Sequence, residues 1–325
     1  MCTAISDKML FGRTLDLEQS LGESVIITPS SYKLSFLYQP PIHLHNALIG
    51  IGIIREGKPL YYDAVNSTGL AAAALNFPDN AVYHEHRATK KNVASFELIP
   101  WLLSQCRDIS DATALLSSAN IVPDAFCEGL PASPLHWLIA DKSRAIVVES
   151  TREGLNVYDA PLGVLTNNPP FPYHLLNISN YMQLSPAPPQ NKLYPSVKLG
   201  AYSRGMGALG LPGDFSSTSR FVRAVFAKSH TQAVATEDGQ ISRFFHVMGT
   251  VNQPNGCALT DKDKPVRTVY TSCACLESST YYFTTYDCRR IRAVRLKENE
   301  TGERLSTYPL AAKEDIDYIH TAPYA

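Results

Sequence analysis

The chain begins Met1-Cys2-Thr3-Ala4-Ile5-Ser6-Asp7-Lys8-Met9-Leu10-Phe11-Gly12-Arg13-Thr14-Leu15-Asp16, and this stretch is typical of a β-hairpin. The segment Cys2–Ser6 is short and contains β-branched residues, and a second run returns from Met9 to Leu15. The polar pair Asp7-Lys8 between them predicts a turn. A strand therefore starts at the second residue of the chain, and Cys2 lies at its beginning.

Cys2 becomes the first residue of the protein once Met1 is removed, which happens readily when a small residue follows methionine. The same residue then carries a thiol nucleophile and an amine base, so the two groups need no folding event to meet. A thiolate is the attacking species, and a nearby cation favours it. Position alone does not distinguish such a nucleophile from an accidental cysteine, so the surrounding residues decide.

Four polar residues are candidates to work with Cys2. Arg13 and Asp16 lie at the end of the returning strand, which pairs with the strand that carries Cys2. Arg13 would supply a fixed positive charge to the thiolate and Asp16 would orient the α-ammonium; the alternative is a surface ion pair. Asn76 and Asn167 close apolar, strand-like runs and are candidate oxyanion donors, or simply turn residues near proline.

The rest of the chain alternates between groups of strands and groups of helices. The predicted strands are Ser24–Thr28, Leu48–Ile54, Leu135–Ala140, Ala145–Ser150, Leu155–Tyr158, Thr268–Cys275, Tyr281–Tyr286 and Ile291–Leu296. The predicted helices are Ser95–Cys106, Asp111–Ser118 with Ser110 as its cap, Ser219–Lys228 and Gly239–Val251. This order favours an α+β domain with antiparallel sheets over a parallel βαβ fold.

Composition argues against several classes of protein. The formal net charge of −1 over 325 residues disfavours a nucleic-acid binder. No apolar run approaches the roughly 18 residues of a membrane span, and we expect no signal peptide. Seven cysteines, an odd number, predict free thiols in a reducing compartment. We therefore expect a cytoplasmic protein that binds neither nucleic acid nor membrane.

Two motifs that suggest cofactors do not fit their contexts. Gly205-Met206-Gly207-Ala208-Leu209-Gly210 matches the dinucleotide fingerprint, but it neither follows a convincing strand nor opens a helix. The histidine pairs His43-Leu44-His45 and His84-Glu85-His86 lack the spacing that places two zinc ligands on one helical face. We expect no cofactor and no metal.

Several motifs occur in order along the chain: Met1-Cys2-Thr3-Ala4, Phe11-Gly12-Arg13, Asn66-Ser67-Thr68-Gly69-Leu70, Leu75-Asn76-Phe77, Leu135-His136-Trp137, Val147-Val148-Glu149-Ser150, Gly163–Pro169, Ser203–Gly207, Leu211–Asp214 and Ser219-Arg220-Phe221. Together they resemble the motifs of the choloylglycine hydrolase family, and within it those of the bile salt hydrolases of gut bacteria. The resemblance runs from residue 1 to about Tyr308.

This resemblance implies the N-terminal-nucleophile fold, a four-layer αββα arrangement of the α+β class with two stacked antiparallel sheets. It implies one domain over residues 1–325 and hydrolysis of glycine- or taurine-conjugated bile salts without a metal or organic cofactor. The implied site has Cys2 as nucleophile, Arg13 and Asp16 beside it, Asn76 and Asn167 at the oxyanion, and Arg220 in a supporting charge network.

The resemblance also implies where the substrate and neighbouring subunits bind. The loops near Leu21–Val25, Pro59–Ala64 and Asp124–Pro134 are the implied walls of the bile-salt pocket. The family is mainly homotetrameric, and the Pro- and Gly-rich excursion Leu184–Gly213 matches the segment that reaches a neighbouring subunit.

Three alternatives to a bile salt hydrolase remain open at this point. The same machinery could serve a penicillin V acylase or an N-acyl homoserine lactone acylase, although penicillin V acylases of the family usually carry Tyr in place of Asn76. A catalytically silent bile-salt-binding protein would make Cys2 incidental. A redox-sensing thiol protein would oxidise Cys2 reversibly and hydrolyse no amide.

Overall fold

The predicted hairpin at the start of the chain is present and lies inside a six-stranded sheet. The computed structural model describes residues 1–319. Strand β1 (Cys2–Asp7) pairs antiparallel with β2 (Leu10–Leu17), with Cys2 opposite Leu15. Lys8, in the turn, has a positive φ of 53°. Because both strands are interior to the sheet, Cys2 is fixed by neighbours although it is the second residue of the chain.

The remaining strands follow the predicted segments closely and add several that were not predicted. They are β3 (Ser24–Thr28), β4 (Leu48–Arg55), β5 (Lys58–Asn66), β6 (Ala71–Asn76), β7 (Lys91–Ala94), β8 (Ala119–Val122), β9 (Leu135–Ala140), β10 (Ala145–Thr151), β11 (Gly154–Asp159), β12 (Val164–Leu165), β13 (Arg267–Cys275), β14 (Thr280–Thr285), β15 (Cys288–Arg295) and β16 (Ser306–Pro309). The meander β9–β10–β11 has the register expected of consecutive hairpins.

The helices are short; four of them overlap the predicted helices, and the one at Phe171–Asn177 was not predicted. They are α1 (Leu98–Gln105), α2 (Ile109–Leu116), α3 (Phe171–Asn177), α4 (Ser217–His230) and α5 (Glu237–Gly249), with 3-10 turns at Ser95–Glu97, Ile178–Tyr181 and Met206–Ala208. The predicted cap of α2 was wrong. Asp108, not Ser110, caps the helix, since its carboxylate accepts the N–H groups of Ser110 and Asp111 at 2.8 and 2.9 Å.

Two antiparallel sheets stack face to face between two layers of helices. The six-stranded sheet has the order β12-β1-β2-β13-β14-β15, and the eight-stranded sheet has the order β11-β10-β9-β6-β5-β4-β3-β16. Helices α4 and α5 pack on the outer face of the first sheet, and α1 packs on the outer face of the second. The four-layer αββα fold expected from the resemblance is confirmed.

The segment 184–213 contains one 3-10 turn and otherwise irregular backbone. Within residues 1–319, no helix combines the length and the apolar character needed to cross a membrane.

Candidate active site

Cys2 lines a cavity of about 330 Å³ to which both sheets contribute. The residue is only 3% exposed, so it is held in the core at the edge of this cavity. Most of the wall is apolar, and all three predicted segments contribute to it. The expectation of a loop at Pro59–Ala64 was wrong, because these residues lie on strand β5, which lines the cavity through Leu60, Tyr61 and Tyr62. The other two segments contribute Leu21 and, from Asp124–Pro134, the residues Phe126, Leu130, Pro131 and Ser133. Ile53 and Phe96, which were not predicted, complete it. Such a cavity suits a bulky apolar molecule with a few polar groups.

Arg13 lines the same cavity and is almost fully buried. Its Nε donates to the carbonyl of Thr14 at 3.1 Å, and its Nη1 donates to the carbonyls of Tyr62 and Ala74. Nη2 is buried and has no hydrogen-bond partner within the described chain. Burial opposes the charge of the guanidinium, but the negative charge of a Cys2 thiolate and other nearby anions outweighs it and raises the pKa of Arg13.

A buried carboxylate that was not predicted lies behind Arg13. Asp63 on β5 accepts the hydroxyl of Tyr270 at 2.7 Å, that of Ser272 at 2.9 Å, and that of Tyr281. Ser272 Oγ also accepts the backbone N–H of Arg13 at 3.1 Å. Burial raises the pKa of Asp63, and the charge of Arg13 opposes that rise. The hydrogen bonds of Asp63 therefore connect β5, in the eight-stranded sheet, with the part of the six-stranded sheet that carries Arg13.

Asn167 holds the nitrogen atom of Cys2. Its Oδ1 accepts the Cys2 N–H at 2.8 Å and Nη2 of Arg220 at 2.7 Å. Arg220 on α4 also donates Nη1 to the carbonyl of Cys2 and to Thr3 Oγ1, the latter at 2.7 Å. Burial lowers the pKa of Arg220, and the charges of Asp16 and Cys2 oppose that effect. The nitrogen that becomes an amine when Met1 is removed therefore already has a bonded partner.

Asp16 is fully buried at the end of the pairing between β1 and β2. Its carboxylate accepts the hydroxyls of Thr268 at 2.7 Å and Thr14 at 3.2 Å. Burial raises its pKa, while the charges of Arg220 and of the chain's N-terminus oppose the rise. The backbone of Asp16 exchanges two hydrogen bonds with Met1, at 2.8 and 3.0 Å. Removal of Met1 therefore frees a backbone donor and acceptor close to the new amine.

The structure brings five of the six predicted site residues together as buried side chains around the start of β1. They are Cys2, Arg13, Asp16, Asn167 and Arg220. The side chain of Asn76 is exposed beside the cavity instead, and its carbonyl accepts Nδ2 of Asn167 at 2.7 Å. An amide nitrogen carries two N–H groups, so Asn167 retains one donor for an oxyanion.

Sequence reasoning missed Asp63 because no strand was predicted there, and the partners of its carboxylate are more than 200 residues away in the sequence. A charged residue within an apolar run is itself the signal, since such a group is rarely buried without partners. In the described part of the chain, no group of three or more His, Cys, Asp or Glu side chains could hold a metal ion.

Comparison with known proteins agrees with this geometry. The family model of the linear amide C–N hydrolases, choloylglycine hydrolase family, matches residues 2–307. A bile salt hydrolase/transferase from Lactiplantibacillus plantarum is 48% identical over 96% of this chain and 98% of its own length. A bile salt hydrolase/transferase from Clostridium perfringens is 34% identical over 98% of this chain and all of its own.

Solved structures agree in fold. A variant of the conjugated bile acid hydrolase from Clostridium perfringens superposes with a TM-score of 0.88, at 31% identity over 98% of this chain and all of that chain. A penicillin V acylase from Agrobacterium tumefaciens, at 16% identity over 94% of this chain and 90% of that chain, has a TM-score of 0.74 and shares the fold. The chain belongs to the choloylglycine hydrolase family of linear amide C–N hydrolases.

Proposed function

We propose that this protein hydrolyses the amide bond of glycine- or taurine-conjugated bile salts, with Cys2 as the nucleophile after removal of Met1. The observation that carries the proposal is the position of Cys2. Its sulfur lines an apolar cavity beside Arg13, while its nitrogen is bonded to Asn167. A nucleophile and a base are thereby presented together to a substrate that is mostly apolar.

The first half-reaction forms a thioester. The Cys2 thiolate, supported by the charge of Arg13, attacks the amide carbonyl carbon and produces a tetrahedral oxyanion. The second N–H of Asn167 and backbone groups near Asn76 stabilise that oxyanion. The α-amine of Cys2 gives its proton to the departing nitrogen. The carbon–nitrogen bond breaks, glycine or taurine leaves, and the acyl group remains on sulfur.

The second half-reaction releases the bile acid. The α-amine, now neutral, takes a proton from water, and the resulting hydroxide attacks the thioester carbon. Collapse of the second tetrahedral intermediate returns the Cys2 thiolate and frees the bile acid. An amine in place of water would form a new amide instead, in line with the hydrolase/transferase names of two relatives.

The cavity favours bile salts among the alternative acyl groups. The rigid sterol body needs a long apolar wall, and Leu21, Ile53, Leu60, Phe96, Phe126 and Leu130 provide one. The chain has Asn76 at the position where penicillin V acylases of the family usually have Tyr, which also favours bile salts as substrates. We propose that penicillin V is at most a poor substrate.

We further propose that the chain forms one domain and assembles into a homotetramer through the segment 184–213. The main core contains residues of both sheets and of α4 and α5, which supports a single folding unit. The segment displays large apolar side chains to solvent, including Leu193 at 90% exposure and Tyr202 at 84%. Large apolar side chains exposed within one segment support an interaction site there.

We also propose a cytoplasmic location. All seven cysteines are free thiols in the described chain, and Cys2 must stay reduced to act as a nucleophile.

Release of free glycine and taurine from glycocholate and taurocholate tests the proposed function, with penicillin V as a competing substrate. Wild type should turn over the bile salts, Cys2→Ala should lose at least about a thousandfold in kcat because the attacking sulfur is removed, and the mature mass should lack Met1. Full activity in Cys2→Ala, or a preference for penicillin V, would refute the proposal. An intact Met1 in an active enzyme would refute the role of the amine.

A further inference from the structure

Three titratable side chains that do not line the substrate cavity are buried behind the loop that carries Asn167. His136 on β9 and Glu149 on β10 occupy directly opposed positions of the sheet, and both side chains are fully buried. His174 on α3 is fully buried as well. Buried charged or titratable groups cost free energy unless they are bonded, so their partners indicate what they do.

His136 donates to the backbone of this loop. Its Nε2 lies 3.0 Å from the carbonyl oxygen of Thr166, which only accepts, so Nε2 carries a proton. Its Nδ1 lies 3.1 Å from Oε1 of Glu149, which also accepts the N–H of Phe171 at 3.0 Å. The two ring nitrogens of His136 therefore join the Glu149 carboxyl group to the Thr166 carbonyl through buried hydrogen bonds.

His174 bonds the other side of the same residue. Its Nε2 donates to the carbonyl of Asn167 at 3.0 Å, and the N–H of Asn167 donates to Ser217 Oγ at 2.8 Å. Burial lowers the pKa of His174, so its ring is neutral and its single N–H is used here. The peptide groups on both sides of Asn167 are thus bonded to side chains, the buried His136 and His174 and the half-buried Ser217, instead of to a neighbouring strand.

The ring of His136 also reaches the second oxyanion segment. It stacks on Phe77 with a centroid distance of 4.3 Å and an interplanar angle of 6°. Phe77 follows Asn76, whose carbonyl accepts Nδ2 of Asn167 at 2.7 Å. One imidazole therefore contacts both chain segments that meet in front of Cys2.

We propose that His136 and Glu149 are positioning residues that align the Asn167 amide with the nitrogen of Cys2 and with the oxyanion. This proposal rests on the proposed function and adds the device that sets its geometry. Glu149 orients the ring, and the ring fixes the Thr166 carbonyl and the plane of Phe77. An apolar pair of similar volume would often pack at equal or lower free-energy cost, so stability alone does not require this pair.

Replacement of the histidine separates positioning from substrate binding. In His136→Leu the Thr166 carbonyl loses its donor, and we expect kcat for glycocholate to fall about 10- to 100-fold, less than the loss of an oxyanion donor itself. KM should stay within about twofold, because His136 does not line the cavity. His136→Gln, whose amide can still donate to Thr166, should recover at least half of that loss on a logarithmic scale.

Trp137→Phe is the matched control. Trp137 is the next residue of β9, is equally buried, and packs in the helix-side core away from Asn167. It should lose stability comparable to His136→Leu and keep kcat. If Trp137→Phe lowers kcat as much as His136→Leu, the histidine has only a structural role.

A double-mutant cycle with Asn167→Ala tests whether His136 affects kcat through Asn167. If His136 acts through Asn167, His136→Leu should lower kcat by less than about twofold in the Asn167→Ala background. Equal losses in both backgrounds would overturn the proposal and leave the proposed function intact. Failure of wild type to hydrolyse any conjugated bile salt would instead overturn the proposed function, so the two failures are distinguishable.

Discussion

Arg220 joins three groups that must keep their relative positions during catalysis. It donates to the Cys2 carbonyl, to Thr3 and to Oδ1 of Asn167, and its Nε donates to the carbonyl of Phe215. Only a planar guanidinium has enough donors in a fixed arrangement for these contacts. The residue thus connects the nucleophile's strand with the side chain that holds its nitrogen.

Arg220→Lys should therefore lower kcat without blocking substrate binding. An ammonium cannot reach all these acceptors, and each lost charge-assisted hydrogen bond costs about 1.5–3 kcal/mol, so a fall of about 10- to 100-fold is expected. Steady-state kinetics with taurocholate measure it. Arg223→Lys, one turn further along α4 and bonded to Thr250 and Pro212, is the control and should keep kcat. Equal kcat in both variants would contradict the prediction.

Asp63 should make stability fall as pH rises. Burial raises the pKa of its carboxyl in the folded state above the ordinary 3.8, so the folded state binds the proton more tightly than the unfolded state does. Unfolding free energy then decreases as pH rises from the ordinary pKa through the raised one, and levels off above it. Asp63→Asn lacks this dependence, so the stability of wild type relative to the variant should decline over that window.

Equilibrium urea unfolding between about pH 4 and pH 8, at fixed protein concentration, measures the difference. Asp214→Asn is the control, because hydrogen bonds from Ser216 and Ser219 lower the pKa of Asp214 to about 2. Its carboxylate is ionised in both states above about pH 5, so its difference from wild type should stay constant from there to pH 8. A constant difference for Asp63→Asn as well would show that its burial does not shift its titration.

At the scale of secondary-structure elements, the close contact between strands β2 and β13 fixes the position of Arg13. A Cβ added at Gly12 would lie 2.0 Å from the carbonyl oxygen of Ser272 and 2.9 Å from the ring of Phe244. Distances this short force backbone to move, because a carbonyl oxygen in a paired strand cannot swing aside. The two strands approach closely only because residue 12 has no side chain.

Gly12→Ala should lower stability by about 1–3 kcal/mol, the usual cost of overpacking. It should also reduce kcat, because the next residue is Arg13 and moves with the strand. Thermal unfolding and steady-state kinetics on the same samples measure both effects. Gly249→Ala, at the end of α5 with open space around it, should be neutral or slightly stabilising. Unchanged stability of Gly12→Ala would contradict the close approach of the strands.

Elements with local signals were predictable from the sequence, and pairings between distant segments were not. The meander from Leu135 to Asp159 and the first hairpin follow from alternation and turn residues that lie within a few positions. Strand β5 was not predicted, although it carries Asp63. The α2 cap was misassigned because Asp108 and Ser110 are both good capping residues and only backbone geometry distinguishes them.

The residues of the site likewise fall into those that local sequence predicts and those that it does not. Arg13 and Asp16 follow from the hairpin register, which places them near Cys2. The bond between Cys2 and Asn167 spans 165 residues, and no local pattern encodes it. Family resemblance supplied those partners, whereas the buried groups behind them, Asp63 and the His136–Glu149 pair, emerged only from the packed side chains.

At the scale of the whole molecule, the exposed apolar side chains bear on how the subunits assemble. The segment 184–213 places Leu193 and Tyr202 in solvent, and Leu176 and Met182 just before it are also largely exposed. A monomer that shows this much apolar surface in one region would tend to associate. A second copy of the chain can cover that surface, which agrees with the homotetramer that we propose.

The double variant Leu193→Glu/Tyr202→Glu should therefore weaken the tetramer. Charges placed in a desolvated contact oppose association, because each would be buried without a partner, so light scattering on a sizing column should show dimers or monomers where wild type shows tetramers. Leu44→Glu, also exposed at 79% but far from this segment in the sequence, is the control and should leave the mass unchanged.

Since neither substituted residue lines the cavity, a dissociated variant that still hydrolyses glycocholate would show that each subunit holds a complete site. A double variant with the tetrameric mass would instead exclude the segment 184–213 from the interface and require the assembly surface to lie elsewhere.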